Sequence, residues 1–373
     1  MEKHLHIVCF DVPYPINYGG AIDLFCKIVA LHGLGVKIHL HCFDYGRGRQ
    51  KELNPYCAEV HYYKRSTGHR GVSFKQPYIV SSRNNEQLFQ RLLHDDHPIL
   101  LEGVHCSAPA LDGRFRSRKI FVRLHNVEHL YYRKLAQHSS HPLKKIYYRL
   151  ESRLLEKYER ELASSARLLP LSERDADYLR TVFNARHCDA LPVFLPFEKV
   201  NSQKGNGLYC LFHGNLAVEE NHKAALFLLK EVFHDLDIPL VIAGRSPSRK
   251  LVKVAHQKKH TCIVADPGTE ELQDMIQKAQ INILPSYVDT GIKLKLLNAL
   301  FNGRHCIVND ATARGTGLES ACHFASDSRS FQRTIRELFR KPFEQEDVLL
   351  RKNLLEERFD NEKNAEKLIR YLW

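Results

Sequence analysis

Glycines, lysines and histidines set just past short apolar runs are the residues of this chain whose types and spacing can do chemistry. The stretch 281–309, INILPSYVDTGIKLKLLNALFNGRHCIVN, reads as strand, loop, helix, strand. Ile281, Ile283 and Leu284 form an apolar run that stops at Pro285, which has no N–H for a central ladder. Gly291 is expected to open a helix with Ile292, Leu296, Leu297 and Leu300 on its apolar face, and Gly303 to end it. Ligands of α/β sheets bind where strands end and helices begin. First-turn N–H groups around Gly291, Ile292 and Lys293 suit a phosphate, and Lys293 and Lys295 add positive charge. An ordinary crossover with a solvated basic face has the same spacing, so the other strand ends must decide between the two.

Those ends carry similar residues. Gly19 and Gly20 follow the first apolar run, where bare backbone can approach a ligand or simply turn into a helix. In 124–129, LHNVEH, the polar residues His125, Asn126, Glu128 and His129 crowd behind a strand. A histidine there binds a sugar hydroxyl or relays a proton; a structural cap is the alternative. Glu102 ends the neighbouring strand and is expected to face the same cleft. In the second half His213, Gly214 and Asn215 follow one strand, and Gly244 and Arg245 another. The planar fork of Arg245 suits a diphosphate, unless it is a solvated arginine.

The elements that must position these residues alternate strand and helix, which implies parallel sheets. Strands are expected at 4–10, 36–43, 58–63, 99–101, 119–124 and 167–171, with a first helix over 21–34 burying Ile22, Phe25, Val29 and Leu31. A helix over 142–164 has Leu143, Ile146, Tyr147, Leu150, Leu154, Tyr158 and Leu162 on one side, expected to pack on the sheet. Its other side carries Lys144, Lys145, Arg149, Arg153, Lys157 and Arg160, a solvated face or one that also sits on anionic lipid. The polar segment 200–207, VNSQKGNG, reads as a linker, after which the alternation restarts. A length of 373 residues fits two domains, and a final helix covers 361–372.

Composition narrows the class. Hydrophobic content of 43% with 26% charged residues describes a globular chain, and no apolar run is long enough to span a bilayer. The start MEKHLHIVCF goes directly into a strand with no signal-peptide pattern, so a cytoplasmic location is expected. Cys9, Cys42, Cys210, Cys262 and Cys306 fall in expected strands as small buried hydrophobes, and no C-x-x-C pair exists. The net charge of +12 points to an anionic partner, but no nucleic-acid-binding motif accompanies it. The dinucleotide fingerprint, the P-loop and the G-x-S-x-G elbow are all missing.

Together the glycine pair after the first strand, LHNVEH, LFHGNLAVEENHKAA, LVIAGR and DTGIKLKLLNAL resemble the GT-B glycosyltransferases, most closely the retaining family 4 enzymes, mannosyltransferase-like proteins included. The resemblance implies an α/β GT-B fold with two Rossmann-like domains facing across a cleft. It implies an acceptor domain at 1–199, a donor domain at 200–355 and a C-terminal helix, 356–373, crossing back to the first. The implied activity is retaining transfer of a hexose, mannose included, from a UDP- or GDP-linked sugar to a saccharide or lipid-linked acceptor in cell-surface polysaccharide synthesis. No metal and no further cofactor are implied.

Carried over by motif, Gly291, Ile292 and Lys293 meet the diphosphate, helped by Arg245, Lys295, Gly214 and Asn215, with Gly19 and Gly20 beside it. His125, Asp289 and Lys293 take the catalytic roles, and Glu102, Asn126 and Glu128 lie on the acceptor side. The family carries two glutamates separated by seven residues; those positions read Thr290 and Asn298 here. Asn298 can still bond a ribose hydroxyl, and Asp289 adjoins the first position. A non-catalytic nucleotide-sugar or glycan binder is the alternative this departure raises. The expected partners are the nucleotide-sugar, the acceptor and, through helix 142–164, the inner membrane face, with no nucleic acid.

Overall fold

The computed structural model describes residues 2–44, 46–73, 75–139 and 141–373. Its contacts divide the chain into two compact units. One comprises Met1–Pro196, Thr290–Ile292 and Phe359–Trp373; the other comprises Phe197–Asp289 and Lys293–Arg358.

In the first unit six parallel strands, β1 (His4–Cys9), β2 (Lys37–Asp44), β3 (Glu59–Lys64), β4 (Ile99–Glu102), β5 (Ile120–Leu124) and β6 (Arg167–Pro170), are ordered β3-β2-β1-β4-β5-β6. The order reverses between β1 and β4, which makes their carboxyl ends the switch point where such sheets take ligands. The helix Gly19–Gly33 buries Ala21, Leu24, Ile28 and Leu31, together with the charged Asp23 and Lys27. This departs from the expected face of Ile22, Phe25 and Val29, which are only half-buried. Burying two ions on that side turns the helix relative to an apolar-only pattern, because they pair with groups on the sheet. The helix Asn361–Leu372 adds Ala365, Leu368 and Leu372 to the cluster that holds Leu5, Ile7 and Leu24. Asn361 fixes its start by exchanging bonds with the Leu195 backbone at 3.0 and 2.7 Å.

The long helix Pro142–Ser165 buries Leu155, Tyr158 and Leu162 in its second half. Its first half does not follow the expected packing: Leu143 is 71% exposed, Ile146 55% and Leu150 55%, with Tyr147 also exposed. The buried side carries Glu151, Ser152 and Glu159 instead: Glu151 accepts from Tyr78 N at 2.9 Å, and Ser152 Oγ donates to His129 O at 2.9 Å. Glu159 accepts from the N–H groups of Glu128 (2.8 Å) and His129 (3.0 Å), capping the helix Glu128–His138.

In the second unit β7 (Cys210–His213), β8 (Leu240–Gly244), β9 (Thr261–Ala265), β10 (Ile281–Leu284), β11 (His305–Val308) and β12 (His323–Phe324) form a parallel sheet ordered β12-β11-β10-β7-β8-β9. Here the order reverses between β7 and β10. The 200–207 segment is no free linker: Gly205 bridges Phe343 at 2.9 Å in both directions, and Asn201 N donates to Phe301 O at 2.7 Å. Cys262 is exposed, because β9 lies at the sheet edge; Cys9, Cys42, Cys210 and Cys306 are buried. No helix among the described residues is long and apolar enough to cross a membrane.

Candidate functional site

At the β7/β10 switch point of the second unit, β7 ends on His213, β8 on Gly244 and β10 on Leu284. Gly244 has no room for a side chain, since a Cβ would fall 1.8 Å from the carbonyl oxygen of Gly214. This close approach of two strand ends sets the path of Gly214 and Asn215. Asn215 O accepts from Asn221 Nδ2 at 3.0 Å, and Asn221 Oδ1 accepts from Lys295 Nζ at 3.0 Å. The lysine also lies 5.3 Å from the centre of the Phe212 ring. Beneath it His213 is buried, its Nε2 bonded to no described residue. Burial, with Lys295 adding to it, lowers the His213 pKa to about 3, so the ring is neutral.

The loop 285–293 is held by Glu220. Its Oε1 accepts from Ser286 Oγ and from the N–H groups of Tyr287 (3.1 Å) and Val288 (3.3 Å). Burial raises the pKa of Glu220, but Lys293, Ser286, Lys295 and Tyr287 outweigh it and the net shift is downward. Lys295 is moved the other way: burial lowers it to about 8, against the pull of Glu220 and with the push of Lys293. Two ammonium groups therefore act on one carboxylate, an arrangement whose positive potential favours an entering anion.

The helix after this loop is Leu294–Asn302, with Lys293 as an extended N-cap that makes no side-chain cap bond. This corrects the expectation that Gly291, Ile292 and Lys293 form its first turn. Gly291 sits at φ 63°, a left-handed turn conformation that a right-handed helix cannot continue. The free first-turn amides belong to Leu294 and Lys295, since Leu296 N already donates to Lys293 O at 2.8 Å. Asn298 lies one turn along, its Oδ1 occupied by Asn302 Nδ2 at 2.9 Å. Asp289 is half-buried and Thr290 buried. Arg245 is exposed and makes no ion pair with any described residue.

In the first unit the β1/β4 switch point holds a buried ion network. Lys27 Nζ lies 3.1 Å from Asp23 Oδ2 and 2.8 Å from Glu102 Oε1. Arg123 Nη2 lies 3.1 Å from Asp23 Oδ1, and donates at 2.8 Å to Pro192 O. His125 Nε2 stands 3.2 Å from Glu102 Oε2 and 3.8 Å from Asp23 Oδ2. Burial works against both carboxylates, yet Arg123 and Lys27 hold Asp23 well below its ordinary range, and Lys27 and His125 hold Glu102 below its own. Asp23, Glu102 and His125 offer atoms within 4.8 Å of one another, as a metal site would. Lys27 already stands against both carboxylates, so its ammonium occupies the place of a cation.

Next to this network Asn126 Nδ2 reaches Glu128 Oε1 at 3.5 Å. Burial, then the charge of Glu159, raises Glu128 to about 8, so it is a neutral acid at pH 7. A Cβ on Gly291, whose tripeptide counts with this unit, would fall 2.3 Å from Asn126 Oδ1. Gly19 and Gly20 form the first turn of their helix, whose N-cap Tyr18 gives no side-chain cap. A Cβ on Gly20 would meet the Phe10 ring at 2.7 Å, so packing also demands that glycine.

Within the first unit, then, the structure joins His125 to Glu102 and Asn126 to Glu128; within the second it joins Lys295 to Asn215 through Asn221, and Lys293 and Lys295 both act on the charge of Glu220. Sequence reasoning passed over Asp23, Lys27, Arg123 and Glu220. The i,i+4 spacing of Asp23 and Lys27 inside an apolar helix, and Arg123 inside the apolar strand IFVRL, were the available signals. Glu220 gives none, because it reads as a helix-start acid beside Glu219.

Residues 207–341 match the family profile described as "Glycosyl transferases group 1". A Klebsiella pneumoniae protein described as an uncharacterized 44.6 kDa protein in the cps region is 25% identical over 332 residues, covering 83% of this chain and 84% of that one. Among solved structures, sucrose-phosphate synthase from Thermosynechococcus elongatus superposes with a TM-score of 0.69 at 14% identity, covering 99% of this chain and 98% of that one. WaaG, a glycosyltransferase involved in lipopolysaccharide biosynthesis, gives 0.66 at 12% identity, with 99% of each chain covered. The fold is that of the GT-B glycosyltransferases, and the match to the group 1 profile falls on the second unit.

Proposed function

We propose that the chain is a retaining glycosyltransferase that moves a hexose from a UDP- or GDP-linked sugar to a saccharide or lipid-linked acceptor in cell-surface polysaccharide synthesis. The observation that carries this reading is the lysine pair beside Glu220 and the neutral His213, at the β7/β10 switch point of the group 1 domain. Breaking a sugar–phosphate bond builds charge on the leaving diphosphate. Lys293, Lys295 and the free amides of Leu294 and Lys295 can meet that charge in place of a metal ion. His125 and the neutral Glu128 are the groups of the first unit suited to bond sugar hydroxyls or to carry a proton. The relative from a cps region supports a role in polysaccharide synthesis.

The test is nucleotide release from a panel of UDP- and GDP-sugars, mannose donors included, with product anomers read by NMR. The expected result is slow release of one nucleotide, unchanged by EDTA, a product that keeps the donor's anomeric configuration, and loss of release in Lys293→Ala. Tight binding with no release for any donor would favour the non-catalytic reading, for which Asn298, held by Asn302 where the family has an acid, is the supporting observation.

The exposed stripe of Leu143, Ile146, Tyr147 and Leu150, flanked by Lys144, Lys145, Arg149 and Arg153, supports peripheral binding to an anionic bilayer. Sedimentation with vesicles rich in phosphatidylglycerol, weakened at least tenfold by Ile146→Glu and absent with neutral phosphatidylcholine, is the expected outcome. Equal sedimentation of the variant would remove this part of the proposal.

A further inference from the structure

Far from the strand ends discussed above, one face of the first sheet is lined with histidines. His4 and His6 on β1, His39 and His41 on β2, and His61 on β3 point to the same side, because His6 pairs with His39 and His41 with His61 in register. His97, just before β4, lies over them. Two of the six are fully committed to the fold. His6 bonds His41 Nε2 at 2.9 Å through Nδ1 and Asp95 at 3.0 Å through Nε2, while His41 Nδ1 faces Tyr63 Oη at 2.9 Å. The outer three differ. His4, His39 and His97 are half-buried, and each offers a ring nitrogen within 4.8 Å of the other two.

We propose that His4, His39 and His97 bind a divalent transition metal of the zinc class. His4 Nδ1 and His39 Nε2 face each other at 3.0 Å, close to the separation of about 3.3 Å that two nitrogens take on a tetrahedral zinc with Zn–N bonds of about 2.0–2.1 Å. The remaining nitrogens of these two rings point at carboxylates. His4 Nε2 lies 3.5 Å from Glu2 Oε2, and His39 Nδ1 lies 3.5 Å from Glu59 Oε2, which also bonds His61 Nε2 at 2.9 Å. With the proton of each ring on its far nitrogen, both facing nitrogens present lone pairs, and the carboxylates hold those tautomers as they do around metal-bound histidines. His97 stacks on His4 with ring centres 4.7 Å apart and planes at 16°, and on His39 at 5.8 Å and 22°. Its ring nitrogens bond no described residue, and rotation of that ring completes a three-nitrogen set with the fourth position open to water.

Residues 4, 39 and 97 come from three separate stretches of chain, so the metal would bind the folded unit better than the unfolded chain and stabilise it. The test uses tag-free, EDTA-treated full-length protein with Zn2+ and, for its visible spectrum, Co2+. The expected results are one ion per chain, a rise of several degrees in Tm, and an intense tetrahedral Co2+ band. His39→Asn and His97→Gln should each lower Zn2+ affinity at least tenfold, while the exposed-site control His256→Asn should not. Circular dichroism of the metal-free variants separates lost ligands from lost folding. A Co2+ spectrum of octahedral type, no Tm rise, or affinity unchanged in both ligand variants would overturn the proposal.

Discussion

The two switch points are built alike in topology and differ in how their charges are balanced. Between β1 and β4, Asp23 and Glu102 are matched by Lys27, Arg123 and the ring of His125, and the ions close on one another inside the unit. Between β7 and β10, Glu220 faces two lysines and its carboxylate is already engaged by Ser286 and two backbone N–H groups. A self-neutralised network suits an uncharged partner and gives the site its shape. A site with two lysines near one carboxylate and a buried neutral histidine suits an anion.

The largest effect should come from opening the closed network. Lys27→Met leaves Asp23 and Glu102 facing each other without their shared cation. A loss of roughly 3–5 kcal/mol in urea unfolding is expected, the range for breaking a buried pair from one side. A loss under about 1 kcal/mol would mean that Arg123 and His125 suffice, and would weaken the contrast between the sites.

Lys293→Ala should lower the rate of nucleotide release by roughly 100-fold, the scale for removing one group that meets developing charge. It should leave the urea midpoint nearly unchanged, whereas Lys27→Met should move it. That double dissociation is the sharpest form of the comparison.

A smaller effect follows from pH. Lys295, lowered to about 8 by burial, is charged below that value and neutral above it. Diphosphate affinity should therefore be full below about 8 and fall as pH rises through it, and Lys295→Arg should remove the fall by staying charged. Binding measured across this range checks the sign.

Smallest is the effect of Glu128, raised from 4.5 to about 8 by burial and by Glu159. A folded-state pKa above the unfolded one means that the folded chain holds the extra proton. Its stabilising contribution is full below about 4.5 and is lost as pH rises through about 8. Glu128→Gln should flatten this slope in a Tm–pH profile.

How far the sequence could be read follows from these contrasts. The alternation of apolar strands and helices was legible because a parallel sheet buried on both faces leaves continuous apolar runs such as Ile99–Glu102 and Ile120–Leu124. The strand-end positions of His125, His213 and Gly214 were legible for the same reason. What sequence patterning hid were the ions. Periodicity counts charges such as Asp23 and Lys27 as exposed, and their partners Arg123 and Glu102 lie 100 and 75 residues away in sequence. The reverse error fell on Leu143, Ile146 and Leu150, whose apolar spacing promises burial although all three are exposed. Gly291 misled differently: glycine marks both helix entry and a left-handed turn, and only the φ of 63° separates the two.

Calorimetric titration with UDP and GDP tests most directly whether the second switch point binds an anion. Saturable binding of at least one nucleotide, weakened tenfold or more in Lys293→Ala and unaffected by Ile146→Glu, is the predicted result. Absence of binding to either nucleotide, or equal affinity in the Lys293→Ala protein, would contradict it.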